Sequence, residues 1–307
     1  MKLQQLRYIC EVARQGLNLS AAAEKLYTSQ PGVSKQIRLL EDELGVEIFA
    51  RHGKRFVEIT RPGRDIIRVA ERMLRDATNL KNVAQEFTSE QTGSLTIATT
   101  HTQARYALPP VVKRFTERYP GVRLSLRQGS PMQIAELASS GEADLAIATE
   151  AIELFSELVM LPCYDWNRCV VVPPGHPLLD MTPLTIEAIA RFPIITYDFA
   201  FTGRSKINQA FEARGLVPNV TLTAIDADVI KTYVELGLGI GIVAYMAFNP
   251  ERDRQLRAID ASHLFESSTT HMGIRKNTYL RGYMYGFIEM FAPALTHRVV
   301  NEAMARG

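Results

Sequence analysis

At 307 residues the chain is too long for one ordinary hydrophobic core, so two or three domains are expected. Hydrophobic residues make up 46% and charged ones 22%, as in soluble globular proteins, and no apolar run reaches the ~18 residues of a membrane span. The net charge of +2 divides unevenly: residues 1–87 hold 15 Lys and Arg against 11 Asp and Glu, and the remainder 20 against 22, a basic head on a slightly acidic body.

Met1-Lys2-Leu3-Gln4-Gln5 lacks the apolar core of a signal peptide, which makes the cytoplasm the expected location. From Asn18 to Arg51 the pattern predicts two short helices. The first spans about Ser20–Leu26, capped by Ser20, with small Ala22 and Ala23 allowing close crossing by the second. Tyr27-Thr28-Ser29 makes a corner, Ser29 caps the second helix, and Pro31 sits in its first turn, where a missing N–H costs nothing. Ile37, Leu40 and Leu44 recur at inward spacing, and Gly45 ends the helix. Thr28, Ser29, Gln30, Pro31, Ser34, Lys35 and Arg38 are thereby presented at the second helix's N-terminal end. In a helix-turn-helix that end enters the DNA major groove, where Gln pairs with adenine and Lys or Arg reads guanine or holds phosphate. The bland alternative is a helical hairpin with a polar face. Val46–Thr60 alternates around Arg51-His52-Gly53-Lys54-Arg55, predicting a β-hairpin wing whose basic tip (Arg51, Lys54, Arg55) lies against phosphates.

These spaced residues resemble the N-terminal signature of the LysR-type transcriptional regulators. A winged helix-turn-helix over 1–60 is followed by a linker and dimerisation helix over 61–87. Ile66, Ala70, Met73, Ala77, Leu80, Ala84 and Phe87 form an unbroken a/d seam, which calls for a partner helix, most simply a second copy of the chain. Packing of the helix on its own domain is the other reading of that seam.

Thr88–Ser94 is polar, lacks periodicity and is assigned as a hinge. Beyond it, short strands alternate with helices, which implies α/β lobes with mostly parallel sheets. Strands are expected at Leu95–Ala98, Val122–Leu126, Ala143–Ala148, Cys169–Val172, Ile194–Tyr197, Val220–Ala224, Ile240–Ala244 and Thr270–Ile274. Helices are expected at Leu108–Arg118, Pro131–Ser139, Leu184–Ala190, Ser205–Arg214 and Ala227–Leu236, with a final one at Tyr279–Phe291. The order predicts a two-lobe clam-shell of the periplasmic-binding-protein type. Lobe I takes 95–163 and 268–307, lobe II takes 164–267, and the strands' C-terminal ends face the cleft.

Thr99-Thr100-His101-Thr102-Gln103 ends a strand before a helix, Thr149 ends another, and Phe201-Thr202-Gly203-Arg204-Ser205 precedes a helix in the other lobe. Hydroxyls and amides beside helix N–H groups hold a small anion without a formal cation, although Thr at such places also serves simply as a cap. Thr99–Tyr106 and Phe201–Ser205, with Gln128–Pro131, Met160–Tyr164 and Asp226–Tyr233, resemble the effector segments of the cysteine-regulon activators within the family. A sister group acting on sulfonate-use genes is similar too. The resemblance implies effector contacts at Thr100, Thr102, Gln103, Thr149 and Thr202. It implies sulfate, thiosulfate or N- or O-acetylserine as effector, with no cofactor. It also implies a homotetramer, promoter DNA and RNA polymerase as partners. Asn301–Gly307 ends sooner than the charged tail of some members of that group.

A transporter's sulfate-type solute-binding protein is the rival of a different class, disfavoured by the DNA-binding head. An enzyme is not expected. The six histidines are scattered, His176 sits in a proline-rich turn, and no H-E-x-x-H or G-x-S-x-G occurs. Gly237-Leu238-Gly239-Ile240-Gly241 leads into a strand, the reverse of a dinucleotide fingerprint, and reads as a tight turn. Cys10, Cys163 and Cys169 have no metal-ligand spacing and are expected to be free thiols.

Overall fold

The computed structural model describes residues 1–53, 55–88, 92–149, 155–198 and 204–306, with the side chains of 85–88 and 204 left out. Lys54, Thr202, the side chain of Phe87 and residues 89–91 of the expected hinge therefore lie outside the described residues, while Thr92–Ser94, also assigned to the hinge, already form the start of a strand. Two compact units result, Met1–Thr88 and Ser89–Gly307.

The first unit is a winged helix-turn-helix. Helix α1 (Leu3–Arg14) buries Leu6, Ile9 and Val12 against α2 (Leu19–Lys25) and α3 (Gln30–Leu44). The cap of α2 is Asn18 and not Ser20, because the Asn18 amide oxygen accepts from the N–H groups of Ser20 and Ala21. Helix α3 is capped by Ser29, whose hydroxyl accepts from Gly32 N at 3.3 Å, and it stops at Gly45 with φ +71°. Ile37 and Leu40 are fully buried, but Leu44 is 40% exposed. The inward position at that end belongs to Glu41, whose carboxylate accepts from Ile48 N at 2.9 Å and Phe49 N at 3.1 Å and pairs with Arg51.

Strands β1 (Phe49–His52) and β2 (Arg55–Ile59) make the antiparallel wing, its base fixed by stacking of Phe49 on Phe56 at 4.7 Å. Helix α4 (Arg61–Thr88) starts at Thr60, whose hydroxyl accepts from Gly63 N. Gly63 is required there, since a Cβ would lie 2.1 Å from the Ile48 carbonyl oxygen. The early turns of α4 pack on α1 through Ile67 and Ala70, with Ile66, Met73 and Leu74 partly covered. Farther along, Leu80 is 72% exposed. One stretch of the seam thus serves its own head while Leu80 is left open.

The second unit has two lobes. In the first, strands β3 (Thr92–Thr99), β4 (Gly121–Gln128), β5 (Leu145–Thr149), β6 (Leu158–Trp166) and β12 (Ser268–Arg275) form a sheet of order β4-β3-β5-β12-β6. Helices α5 (Leu108–Arg118), α10 (Gly282–Phe291) and α11 (His297–Arg306) contribute to one core cluster with this sheet. Helix α6 (Pro131–Ser140) closes a second cluster with Ala98, Ala146 and Ala148. In the second lobe, β7 (Arg168–Val172), β8 (Ile194–Tyr197), β9 (Val220–Ala224), β10 (Ile240–Ala244) and β11 (Arg257–Asp260) take the order β11-β7-β10-β8-β9. Helices α7 (Ile186–Ile189), α8 (Arg204–Glu212) and α9 (Ala227–Glu235) flank it. The chain passes between lobes at Asn167 and again between Asp260 and Ser268.

Helix α1 of the first unit and three elements of the second were absent from the sequence reading. Strand β6 contains Pro162 and charged Asp165 and shows no regular alternation, β11 is a four-residue edge strand, and α11 buries only Val300. The helix expected over Tyr279–Phe291 begins only at Gly282, after buried Leu280 and Arg281, and it is not the last. Gly239 is held by close approach, since a Cβ there would meet the Pro193 carbonyl oxygen at 2.4 Å.

Glu41→Ala removes an acceptor shared by two buried amides and strands Arg51, a loss expected to cost about 2–4 kcal/mol. Hydrogen exchange of the Ile48 and Phe49 amides in the full chain should speed up accordingly, whereas Leu44→Ala should change it by no more than about 0.5 kcal/mol.

Candidate functional site

On the head, Thr28, Ser29, Gln30, Pro31, Lys35 and Arg38 are exposed and Ser34 is half-buried, along the N-terminal part of α3. The other end of α3 carries Glu41, Asp42 and Glu43. Hydroxyl and amide groups thus cluster at the helix N-terminus, the end whose dipole favours phosphate, with the positive charges of Lys35 and Arg38 one and two turns farther along. Arg55 is exposed at the start of β2. Arg51 departs from the expected wing tip: its guanidinium pairs with Glu41 and lies 4.8 Å over the Phe56 ring, so it braces the wing from inside.

In the second unit, Thr100, Thr102, Gln103 and Thr149 line one pocket together with Trp166, Tyr197, Ile225 and Ala244. Lobe I supplies the first four from the β3 and β5 ends, and lobe II supplies Tyr197, Ile225 and Ala244 from the ends of β8, β9 and β10. Thr99 belongs to the sheet and not to the pocket, because its buried hydroxyl donates to the Ile147 carbonyl at 3.0 Å.

The chain after β3 enters a π-helical turn at Gln103–Ala107 before α5. Such one-turn insertions re-aim side chains and recur at functional sites. Gln103, 2% exposed, donates from Nε2 to Thr270 Oγ1 at 3.1 Å and accepts from the Tyr164 hydroxyl. Thr270 sits opposite Thr149 on β5 and Tyr164 on β6, and the two threonine hydroxyls lie 3.3 Å apart. The Trp166 indole N–H donates to Thr149 Oγ1 at 3.1 Å. Burial pushes the Tyr197 phenol up to about 12, and its oxygen accepts from Ala244 N at 3.4 Å while bonding Thr102. Among the described residues the lining offers hydroxyl, amide and indole groups with no formally charged side chain, an arrangement suited to a small anion held by dipoles.

Sequence reasoning missed Trp166, Tyr197, Ile225 and Ala244 as lining residues, and Thr270 behind them, whereas Tyr164 belongs to a segment singled out by resemblance. The rule that strand C-terminal ends face the cleft would have singled out Tyr197, Ile225 and Ala244. Nothing local marks Thr270, which reaches Thr149 through strand pairing alone.

Residues 88–296 match the LysR substrate binding domain family, and residues 3–64 match the bacterial regulatory helix-turn-helix protein, lysR family. The chain belongs to the LysR family of transcriptional regulators, whose members are DNA-binding regulators and not enzymes. It is 58% identical over 307 residues to the HTH-type transcriptional regulator SsuR of Burkholderia cenocepacia, covering 100% of this chain and 98% of that one. Identity to the HTH-type transcriptional regulator CysB of the same organism is 54% over 304 residues, covering 99% and 97%. Among solved structures, the cofactor-binding domain of the Cbl transcriptional regulator superposes with a TM-score of 0.69 at 44% identity, covering 72% of this chain and 96% of that one. An N-terminal DNA-binding head and a C-terminal domain for a small-molecule effector are therefore its functional parts. Among the described residues no helix is long and apolar enough to cross a membrane.

The three cysteines are free, and burial pushes the thiols of Cys10, Cys163 and Cys169 each up to about 12. At pH 8 they are held as unreactive thiols. An aromatic disulfide reagent should label the native protein slowly, and all three cysteines quickly once guanidinium unfolds it.

Proposed function

We propose that this protein binds promoters of sulfur-assimilation and cysteine-biosynthesis genes and is switched by a small anionic or acetylserine-type effector held between its two lobes. The observation that carries the reading is the convergence of Thr100, Thr102, Gln103 and Thr149 in one donor-bearing pocket that is uncharged among the described residues. Similarity to CysB over nearly the whole chain supports it. A second reading, a regulator of sulfonate-use genes, is favoured by the likeness to the Cbl domain. Sulfate, thiosulfate and N- or O-acetylserine are the effector candidates, with a sulfonate precursor under the second reading. Thr202 is carried here as a fifth contact by resemblance alone. Acting on promoters would place the protein in the cytoplasm under this reading.

Two heads act together in this reading. Self-association through 66–87 is supported by the exposure of Leu80, and assembly to a homotetramer with contact to RNA polymerase would follow. Pairing multiplies the weak, salt-sensitive phosphate contacts of one head. The head reads DNA through Thr28, Ser29, Gln30, Pro31, Ser34, Lys35 and Arg38, with Arg55 and Lys54 on the wing. The effector works by binding one arrangement of the lobes better than another, and a coupling of about 1–3 kcal/mol suffices for regulation.

Calorimetric titration of the full chain with each candidate tests the effector, with the fluorescence of Trp166, the single tryptophan, as a second signal. Thr100→Ala or Thr102→Ala should weaken effector binding by roughly tenfold or more and leave basal promoter binding intact, as loss of a donor to a charged ligand implies. Ser34→Ala or Arg38→Ala should weaken promoter binding, at about 1–3 kcal/mol for a base contact, with the effector still bound. Equal effects of both pairs on both readouts would refute the division of labour.

A further inference from the structure

Close to the pocket, a second group of side chains joins the lobes. Tyr106 leaves lobe I from the same π-helical turn that carries Gln103, and it packs, partly buried, against the lobe II core cluster that contains Tyr197, Ala227 and Ile230. Its hydroxyl donates to Asp228 Oδ1 at 2.6 Å and accepts from Lys231 Nζ at 3.0 Å. Both partners lie on α9, which follows the pocket residue Ile225. Lys231 is itself anchored in lobe II, donating to the Ala247 carbonyl at 2.9 Å and to Asp253 at 2.9 and 3.1 Å. Arg105 Nε stands 3.4 Å and His101 Nε2 4.0 Å from Asp228 Oδ2, both from lobe I.

We propose that Tyr106, Asp228 and Lys231 form a latch between the lobes that positions the two walls of the effector pocket and so sets how tightly the effector is held. The inference rests on the reading that the pocket binds an anion. None of the three lines the pocket, so they act through its walls: Thr102 and Gln103 lie within four residues of Tyr106, and Ile225 lies three residues before Asp228. Closing the lobes brings a phenol, a carboxylate and an ammonium into one network; opening them takes the Tyr106 hydroxyl from both Asp228 and Lys231, while Lys231 keeps Asp253 and the Ala247 carbonyl. Unmade hydrogen bonds to charged groups in such surroundings are expensive, which biases the lobes toward closure.

The network keeps its charges at neutral pH. Burial opposes the Lys231 ammonium, but bonds to Tyr106 and Asp253 outweigh it and hold its pKa above the usual lysine value. Burial likewise opposes the Asp228 carboxylate, and the Tyr106 hydrogen bond with the Lys231 charge holds it below the usual range. His101, Asp226 and Asp228 also present ligand atoms within 4.8 Å of one another. Asp228 is already engaged by Tyr106, Lys231 and Arg105, and two neighbouring cations argue against a metal there.

The test uses the full chain as wild type, Tyr106→Phe, Asp228→Asn and the double variant. Phenylalanine keeps the ring against the lobe II core and removes only the hydroxyl. Hydrogen exchange is measured without added anion over 101–107 and 226–231, and sulfate affinity by calorimetry. Each single variant should raise exchange in both segments together and weaken sulfate binding about five- to tenfold, with the double variant no worse than the worse single one. Exchange confined to the mutated segment, additive losses, or unchanged sulfate affinity beside a wild type that binds it would overturn the latch. If the wild type takes up no sulfate, the anion reading fails, and the two-segment exchange comparison alone decides the latch.

Discussion

The pairing register of three neighbouring strands is the constraint on which the effector pocket depends. Thr270 of β12 stands opposite Thr149 of β5 and Tyr164 of β6, and this alignment lets one buried glutamine, Gln103, bond across the sheet end. A slip of one residue would turn every side chain of β12 to the other face of the sheet. Thr149 would then lose its neighbour, Gln103 would lose its acceptor, and the polar floor of the pocket would be left buried and unmet. The core alanines on β5 and the leucines and isoleucines around them hold that register, because a slip would also put apolar groups on the wrong face.

From that floor the polar chain continues outward. Trp166 bonds Thr149, and behind the indole lies the guanidinium of buried Arg168, 4.9 Å from its ring. Arg168 donates to the Glu266 carbonyl and to Ser268 Oγ, both at 2.9 Å, and so ties one lobe crossing to the other. The contacts that shape the pocket are therefore continuous with those that brace the crossings between lobes. A ligand that alters Thr149 acts on a packed element with few alternative arrangements, the condition under which small displacements become changes of state.

The head follows the same economy with a different residue. Glu41 is a single carboxylate, yet it satisfies two backbone amides and one guanidinium and so joins the recognition helix to the wing. Arg51 was expected on phosphate because it lies among the basic residues of a hairpin tip. Its neighbour in space turned out to be a buried acid ten positions earlier, and a buried carboxylate requires such a partner. Among the described residues, exposed Gln30 and Lys35 lie in the first half of α3, Arg38 just past its middle, and Arg55 on the wing.

Much of this was legible in the chain itself. The Ser29 cap, Pro31 in the first turn and Gly45 at the stop define α3, and most strands and helices of the second unit follow their hydrophobic periodicity to within a few residues. The sequence by itself determined the winged head, the two α/β lobes and the threonines at the ends of β3 and β5, because caps, turns and periodicity act over a few residues. Only the tertiary structure decided which residues meet. It turned Leu44 outward and Arg51 inward, took Thr99 out of the pocket, and brought Thr270, Tyr197 and Trp166 to it. It also joined Tyr106 to Asp228 and Lys231. Those partners are separated by tens to more than a hundred positions, and their meeting depends on strand order and lobe packing, which no local pattern encodes.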